Sequence, residues 1–292
     1  MTLQQLLQEG AEKLLQAGIE EAGLDAKYLL FEAFGIDEVH FLMDRNRELP
    51  PDTRREDGER TYRDLISRRA RRIPLQYLCG FQEFMGLRFL VNPSVLIPRQ
   101  DTETLVELVL KERPDRKLRL LDMCTGSGCI AVSLKKLGGY ESVTAVDVSA
   151  EALETAGENA RLNGAEIRLV ESNLYEALDP ERDRFDVIVS NPPYIPSRVI
   201  EKLQPEVRDC EPRLALDGKE DGLFFYRRLA GESGRYLNKG GSVYFEIGYD
   251  QAEDVRGLLA DCGYEEIEVI KDGPGLDRVV RAVLSGTGGT YV

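Results

Sequence analysis

The sequence predicts an α/β protein in which a small helical bundle and a β-hairpin linker precede a mostly parallel, seven-stranded sheet. After Pro98, short apolar runs alternate with helical stretches for the rest of the chain. This alternation is typical of parallel strands joined by helices that cover both faces of a sheet. Before about Arg72, apolar residues recur at helical spacing. The 292 residues leave room for a large and a smaller domain, since domains usually contain about 100 to 200 residues.

The amino-terminal part, residues 1–73, is predicted to contain four or five short helices packed as a bundle. Leu3, Leu6 and Leu7 share one face of the first helix, and glycines and Pro50-Pro51 separate the later runs. A bundle of this kind buries one apolar stripe from each helix.

A change of pattern over residues 74–98 predicts a β-hairpin that links two domains. Glycines separate two runs rich in aromatic residues, 77–81 and 83–91.

The remaining domain, residues 99–285, is predicted to contain seven strands. They cover residues 118–121, 143–146, 167–170, 185–189, 242–247, 267–270 and 278–284. Helical stretches between the first five indicate right-handed crossovers between parallel strands. Only a short turn separates the last two, which are therefore predicted to be antiparallel, because a parallel return needs a dozen or more residues. The tail, residues 286–292, is rich in glycine and threonine and is predicted to be disordered.

A glycine-containing loop, residues 122–128, follows the first strand and leads into a helix. Gly126 and Gly128 allow the backbone to approach a ligand, with helix amides pointing toward it. A simple tight turn is the alternative, because the third glycine of the dinucleotide fingerprint is missing. Asp147 ends the second strand, nineteen positions after Gly128, where an acid can accept hydrogen bonds from ribose hydroxyls. Capping of the next helix is the other interpretation of Asp147.

The fourth strand ends in the tetrapeptide Asn191-Pro192-Pro193-Tyr194. The two prolines fix a rigid turn and leave the carbonyls of Asn191 and Pro192 free to accept hydrogen bonds. The Asn191 side chain adds an acceptor, and Tyr194 offers a flat ring for stacking. We interpret this combination as a slot for a planar NH2 group, which indicates a methyltransferase that alkylates nitrogen with S-adenosylmethionine.

Charge argues against one class of partner. The net charge of −14 disfavours a protein that holds duplex DNA, because such binding depends on basic residues that neutralise phosphates. Residues 54–72 are the exception, with eight arginines and four acidic residues. We interpret this basic segment as a solvated helix face, and contact with RNA or an acidic partner is the alternative.

Cysteine and hydropathy patterns point to a soluble, cytoplasmic protein. Five cysteines at irregular spacings and one histidine argue against a disulfide framework and against a metal site. No stretch approaches the ~18 apolar residues of a membrane-spanning helix, and the charged, amphipathic amino terminus is unlike a signal peptide.

The motifs together resemble those of the protein-(glutamine-N5) methyltransferases that modify peptide chain release factors, the HemK or PrmC family. The resemblance covers nearly the whole chain. It is carried by residues 74–80, 83–86, 97–103, 122–128, 147, 190–194 and 275–280. The Asn-Pro-Pro-Tyr motif is shared with DNA adenine methyltransferases, and its combination with residues 97–103 distinguishes this family. The resemblance implies a Rossmann-like class I methyltransferase sheet.

Family resemblance also implies roles for individual residues. The cofactor, which becomes S-adenosylhomocysteine, would have its amino-acid and ribose parts lined by Cys124, Thr125, Gly126, Ser127 and Gly128. Asp147 would take the ribose hydroxyls, and Asn173 and Leu174 would flank the adenine. Asn191, Pro192, Pro193 and Tyr194 would hold the substrate amide, with Asn191 also close to the methyl donor.

By the same resemblance, the substrate is the glutamine of the Gly-Gly-Gln loop in bacterial-type release factors, and the helical domain helps to dock the factor. Three residues depart from the family pattern: Cys124 replaces a glycine, Gln100 replaces a proline, and Leu174 stands where some relatives have an aromatic residue. These departures put the cofactor affinity in doubt rather than the activity.

Two other functions fit parts of the sequence. An enzyme that methylates amino groups of adenine or guanine would need to flip a base and would need a basic groove, and no recognition domain interrupts the chain. A non-catalytic adaptor would keep the cofactor fold without the chemistry, which the complete Asn-Pro-Pro-Tyr motif disfavours.

Overall fold

A computed structural model describes residues 1–49 and 53–285. Pro50-Pro51 and the predicted disordered tail, residues 286–292, lie outside the described residues. The chain divides into two compact units. The helical unit contains Met1–Phe81 and Gln204–Cys210, and the sheet unit contains Gln82–Leu203 and the described residues from Glu211 onward.

The helical unit confirms the predicted amino-terminal helices. They are α1 (Leu3–Gln16), α2 (Ala22–Phe34), α3 (Glu38–Asp44), α4 (Thr53–Arg69) and α5 (Leu75–Cys79), joined by a short helix from later in the chain, Pro205–Cys210. Thr2 and Gln5 form a reciprocal capping box at the start of α1. Buried leucines of α1 and α2 form one core with Tyr62 and Ile66 of α4.

Acidic neighbours within the helical unit neutralise most of the basic segment. Arg55 and Arg63 pair with Glu59, and Arg69 pairs with the buried Asp25 at 2.7 Å. Arg69 and Arg72 both contact Glu206, at 3.0 and 3.1 Å. These pairs favour a structural role for the segment over an RNA-binding one.

The linker contains a hairpin, but its first predicted run is helical. Residues 77–79 belong to α5, which ends at Gly80 in the left-handed conformation. The hairpin follows as β1 (Phe81–Phe84) and β2 (Leu87–Leu90). Glycine at position 80 explains the difference, because a left-handed glycine stops a helix as readily as it forms a hairpin turn.

The sheet unit contains all seven predicted strands. They are β3 (Arg119–Met123), β4 (Ser142–Asp147), β5 (Arg168–Glu171), β6 (Phe185–Ser190), β7 (Leu237–Glu246), β8 (Tyr264–Lys271) and β9 (Asp277–Leu284). Their spatial order is β5-β4-β3-β6-β7-β9-β8. Strands β3 to β7 pair in parallel, and β9 is antiparallel to both β7 and β8, which confirms the predicted final hairpin.

Helices cover both faces of this sheet. They are α6 (Gln100–Glu112), α7 (Cys129–Ser133) with the π-helical turn Leu134–Gly138, α8 (Ala150–Asn163), α12 (Phe224–Ser233) and α13 (Ala252–Asp261). The remaining described helices are α9 (Ser197–Ile200), α10 (Pro205–Cys210), which belongs to the helical unit, and α11 (Arg213–Leu216). The core of α6, α7 and α8 includes Leu120, whereas that of α12 and α13 includes Leu121. Successive strand residues therefore enter opposite cores, as the pleat requires. None of the described helices is both long and apolar enough for a membrane span.

Candidate active site

A cavity opens where β3, β4 and β6 reach their carboxyl ends. Strand β3 pairs with β4 on one side and β6 on the other, so the order reverses here, and open α/β sheets bind ligands at such points. Residues at the strand ends that line the cavity include Met123, Cys124, Thr125, Gly126, Ser127, Val146, Asp147, Val148, Ser172, Asn173, Leu174, Asn191 and Pro193. Most of the residues predicted from the sequence therefore share one cavity, whereas Gly128, Pro192 and Tyr194 are not in its lining.

The loop after β3 is bent by three left-handed residues, Cys124 (φ 63°), Gly126 (φ 55°) and Gly128 (φ 78°). A β-carbon on Gly128 would lie 2.9 Å from the β-carbon of Ala156 in α8, so this glycine is needed for packing. A β-carbon on Gly126 would meet no atom within 4 Å. Cys124 has a side chain where the backbone favours glycine, at a conformational cost of roughly 1–2 kcal/mol.

Asp122 anchors this loop from inside. Its Oδ2 accepts hydrogen bonds from the Thr125 hydroxyl at 2.6 Å and from the amide of Ala131 at 3.1 Å. Burial raises the pKa of Asp122 to about 7, although both donors lower it. The loop therefore keeps its shape through a buried carboxyl group to which the sequence analysis assigned no role.

Asp147 presents its carboxylate at the end of β4. One oxygen accepts from the amide of Gly126 at 2.8 Å, and the other from the amide of Ser149 at 3.0 Å. Ser149 itself caps α8 by accepting from the amide of Ala152, so the capping role proposed as the alternative for Asp147 is already filled. Burial raises the pKa of Asp147, which backbone donors partly offset. Each carboxylate oxygen still has a lone pair that can accept a hydrogen bond from a ligand hydroxyl. Two such acceptors on one carboxylate match the hydroxyl groups of a ribose.

We expect Asp147→Asn to weaken binding of S-adenosylmethionine roughly ten- to hundredfold, because hydrogen bonds to a charged acceptor contribute about 1.5–3 kcal/mol. Isothermal titration calorimetry measures this change. Asp186→Asn is the matched control, since Asp186 in β6 also accepts a backbone amide, that of Arg119 at 2.8 Å, but is not in the cavity lining. Equal affinities for Asp147→Asn and the unaltered protein would contradict the ribose assignment.

Both residues of the predicted adenine-flanking pair, Asn173 and Leu174, line the cavity, but they differ in burial. Leu174 is buried and takes a left-handed conformation with φ 54°. The Asn173 side chain is exposed and donates to Glu176 at 2.6 Å. Phe225 of α12 lines the same cavity and offers the aromatic ring that position 174 lacks. Sequence reasoning missed Phe225, because nothing local places α12 near the end of β5.

The tetrapeptide begins where β6 ends. Ser190 donates its hydroxyl to the carbonyl of Met123 at 2.6 Å, which ties the ends of β6 and β3 together. Asn191 and Pro193 line the cavity, whereas Pro192 does not, and both prolines are buried. Tyr194 is partly buried and packs against the core on the α12 side of the sheet.

A second loop holds the tetrapeptide from outside. The amide of Ile195 donates to the carbonyl of Leu216 at 3.0 Å, and the amide of Gly218 donates back to Ile195 at 2.9 Å. A β-carbon on Gly218 would lie 2.7 Å from the Tyr194 carbonyl carbon, and one on Gly222 would lie 2.4 Å from the Tyr194 oxygen. The backbone at Gly218 and Gly222 therefore approaches the tetrapeptide more closely than any residue with a side chain would allow.

The carbonyl oxygens of Asn191 and Pro192 accept no hydrogen bond from residues 1–49 or 53–285. Backbone acceptors at such a turn are satisfied by a ligand or by solvent. The Asn191 side chain donates through Nδ2 to the hydroxyl of Thr102 at 3.3 Å. The Asn191 carbonyl, in the cavity lining, can therefore accept a hydrogen of a bound amide.

Two further walls of the cavity come from distant segments. They contribute Ser94, Val95, Leu96, Pro98, Arg99 and Thr102 before and within α6, and Pro212, Leu214 and Ala215 around α11. Arg99 and Glu211 form an ion pair that joins the two walls, and the amide of Ile97 also donates to Glu211, at 3.4 Å. Burial raises the pKa of Glu211, while Arg99 lowers it. Apart from Pro98, Arg99 and Thr102, which belong to the quoted segment 97–103, these residues carried no local signal of a site.

Family models match both parts of the chain. That of the PrmC N-terminal domain matches residues 5–80, and that of the methyltransferase small domain matches residues 99–207. The chain is 44% identical over 279 residues to the release factor glutamine methyltransferase of Geobacter sulfurreducens, covering 96% of this chain and 95% of that protein. It is 42% identical over 287 residues to the same-named protein of Moorella thermoacetica, covering 97% and 98%.

Solved structures resemble the fold at lower identity. The hMettl16 catalytic domain, solved in complex with an RNA hairpin of the MAT2A 3'UTR, aligns with a TM-score of 0.57 at 18% identity, covering 77% of this chain and 83% of that chain. A methyltransferase from Pyrococcus furiosus aligns with a TM-score of 0.54 at 21% identity, covering 75% and 99%. These similarities concern the methyltransferase fold alone.

Proposed function

The chain belongs to the family of release factor glutamine methyltransferases, and from this membership we propose that it methylates the side-chain amide nitrogen of a glutamine in a peptide chain release factor. S-adenosylmethionine supplies the methyl group on a positively charged sulfur, which makes the methyl carbon electrophilic. The same proposal places the protein in the cytoplasm, where translation terminates.

One observation carries this proposal: Asn191, whose carbonyl accepts no hydrogen bond from the described residues, lies in the cavity lining at the start of the tetrapeptide. An amide nitrogen is a poor nucleophile, because its lone pair is delocalised into the carbonyl. Acceptors on Asn191 and Pro192 hold both N–H groups, return electron density to nitrogen and aim it at the methyl carbon. The same acceptors stabilise the positive charge that develops on nitrogen as the new bond forms.

The chain need not supply a strong base. The alkylated nitrogen carries a positive charge and is acidic enough to lose one of its protons to water. The acidic residues of the cavity lining are Asp147 and Glu151. Asp147 is held by backbone amides and is assigned to the ribose. Catalysis here depends on alignment and on the acceptors.

Within the proposed substrate, we assign the target as the glutamine of the Gly-Gly-Gln loop in bacterial-type factors, as the family resemblance implies. Methylation of a nucleic acid base shares the tetrapeptide chemistry. The acid-paired arginines of α4 and the net charge of −14 give no support to a groove for RNA or DNA.

Mass spectrometry of a tryptic digest of a release factor, incubated with the enzyme and labelled S-adenosylmethionine, tests the activity and the target together. The expected result is one added methyl group on the glutamine of the Gly-Gly-Gln loop. A factor whose target glutamine is replaced, and RNA without protein, are the controls. Absence of transfer, or transfer that persists on the replaced factor, would refute the proposal.

We further assign docking of the factor to the predicted amino-terminal helical domain, residues 1–73. Helix α3 exposes three large apolar side chains, with exposed fractions of 62% for Val39, 53% for Leu42 and 68% for Met43. Such a cluster is typical of a protein contact surface. Charged replacements at Leu42 and Met43 are expected to raise the KM for the factor about tenfold or more, with S-adenosylmethionine affinity unchanged. An unaltered KM would argue against this surface.

A further inference from the structure

Glu246, the last residue of β7, is a buried carboxyl group beside the active site. Its exposed fraction is 2%. Phe245 pairs with Ser190 in the parallel ladder, so Glu246 and Asn191 follow at the same edge of the sheet. Within the described residues, its Oε2 has no hydrogen-bond partner. Burying a charged acceptor without full pairing is costly, so packing does not explain this side chain.

Thr102 of α6 connects Glu246 to Asn191. The Thr102 hydroxyl, 2% exposed, accepts a hydrogen bond from Asn191 Nδ2 at 3.3 Å. A hydroxyl group that accepts one hydrogen bond still has its own proton to donate. Glu246 is the group that can receive that proton, since its buried Oε2 has no other partner among the described residues and Thr102 and Asn191 both act on its carboxylate to lower its pKa.

We propose that Glu246 is a positioning residue that fixes, through Thr102, the orientation of the Asn191 side-chain amide. An amide group has an oxygen and an NH2 of nearly equal size, and only its hydrogen bonds decide which way it points. An ionised carboxylate only accepts, so Thr102 must donate to Glu246 and accept from Asn191. Asn191 Oδ1 then points away from Thr102 and is available to the substrate N–H.

The surroundings of Glu246 act on its pKa in both directions. Burial raises the pKa of Glu246 to about 7, and Asp101 raises it further, whereas Thr102, Arg278 and Asn191 lower it. Arg278 is itself bound to Asp272 at 3.0 Å and to Asp101 at 3.2 Å. The Tyr226 hydroxyl donates to the backbone carbonyl of Glu246 at 2.7 Å. It therefore does not occupy the carboxylate, which stays available to Thr102. Assays at a pH well above 7 therefore probe the ionised form.

The inference rests on the proposed function. Its test compares two variants, each of which removes a different member of the hydrogen-bond chain. Thr102→Val removes the hydroxyl at nearly constant size. Glu246→Leu removes the acceptor, after which the hydroxyl can donate to Asn191 Oδ1 and reverse the amide. Each variant is expected to lower kcat for release factor about tenfold, with the Kd of S-adenosylmethionine unchanged.

Three further measurements separate positioning from general damage. The double variant is expected to lose no more kcat than either single variant, because both act through one hydrogen-bond chain. Thr102→Ser is expected to restore the kcat lost in Thr102→Val. Thr155→Val, at another buried threonine that donates to the Glu151 carbonyl at 3.1 Å, is the matched control and is expected to keep kcat.

The outcomes distinguish the two proposals. If the unaltered protein does not methylate release factor, the proposed function fails. If it does, but Thr102→Val and Glu246→Leu keep their kcat, the positioning role is wrong. Additive losses in the double variant, or a parallel fall in cofactor affinity, would also overturn it. If Glu246→Leu does not fold, the comparison of kcat between Thr102→Val and Thr102→Ser tests the positioning role.

Discussion

Replacement of Asn191 by alanine is expected to lower kcat for release factor roughly 10²- to 10³-fold, the effect of removing one preorganised group at a reacting centre. The side chain lies at the end of β6 in the cavity and is held by Thr102 at 3.3 Å. Its oxygen is assigned to a substrate N–H whose bond strengthens as nitrogen becomes positively charged. Interactions that strengthen in the transition state change kcat rather than binding.

Binding of S-adenosylmethionine to the Asn191→Ala variant should change much less than kcat. Steady-state kinetics and calorimetry on the same preparation measure the two quantities. Asn163→Ala is the matched control: Asn163 donates to the carbonyl of Arg88 at 2.9 Å and is not in the cavity lining. Proportionate losses of kcat and cofactor affinity in Asn191→Ala would contradict the assigned role. Unchanged biological activity of a folded Asn191→Ala protein would instead favour a non-catalytic adaptor.

Gly128→Ala is expected to destabilise the sheet unit by about 2–5 kcal/mol and to abolish measurable cofactor binding. The added β-carbon would lie 2.9 Å from the β-carbon of Ala156, at a residue with φ 78°. Overpacking costs about 1–3 kcal/mol, and the left-handed conformation adds about 1–2 kcal/mol for a residue with a side chain. Relief of the clash would move α8 away from the loop that lines the cavity.

Gly126→Ala is the matched control, because its β-carbon would meet no atom within 4 Å while its φ of 55° is also left-handed. This variant should lose only the conformational part, about 1–2 kcal/mol. The double variant Gly128→Ala with Ala156→Gly should recover part of the stability, since it removes the contacting atom. Chemical denaturation measures all three. Equal losses in Gly126→Ala and Gly128→Ala would show that packing against α8 contributes nothing.

Local patterns predicted most of the secondary structure. The alternation of apolar runs and helical stretches placed all seven strands of the sheet, with ends shifted by a few residues. The short turn before β9 predicted the antiparallel pair, because too few residues remain for a crossover. The run at residues 77–79 was assigned wrongly, since five residues before a glycine are too few to reveal helical periodicity.

The site residues at the strand ends were also predictable from the sequence, because a parallel sheet brings the carboxyl ends of its strands to one edge. The loop after β3, Asp147 and Asn191 were found in this way, and all three meet at the cavity. Gly128 was predicted to line the cofactor; it is not in the cavity lining, and a β-carbon at this position would lie 2.9 Å from that of Ala156. A glycine in such a loop can serve either purpose, and the sequence does not distinguish them.

By itself, the sequence determined the α/β class, the order of the elements and the residues that follow the central strands, because turn chemistry and apolar periodicity act over a few neighbouring residues. Only the tertiary structure decided that β9 lies between β7 and β8, that Phe225 and Arg99 reach the cavity, and that Glu246 and Asn191 follow paired residues at one edge of the sheet, where Asn191 bonds Thr102. These contacts join residues up to well over a hundred positions apart, and packing between helices and sheet selects them.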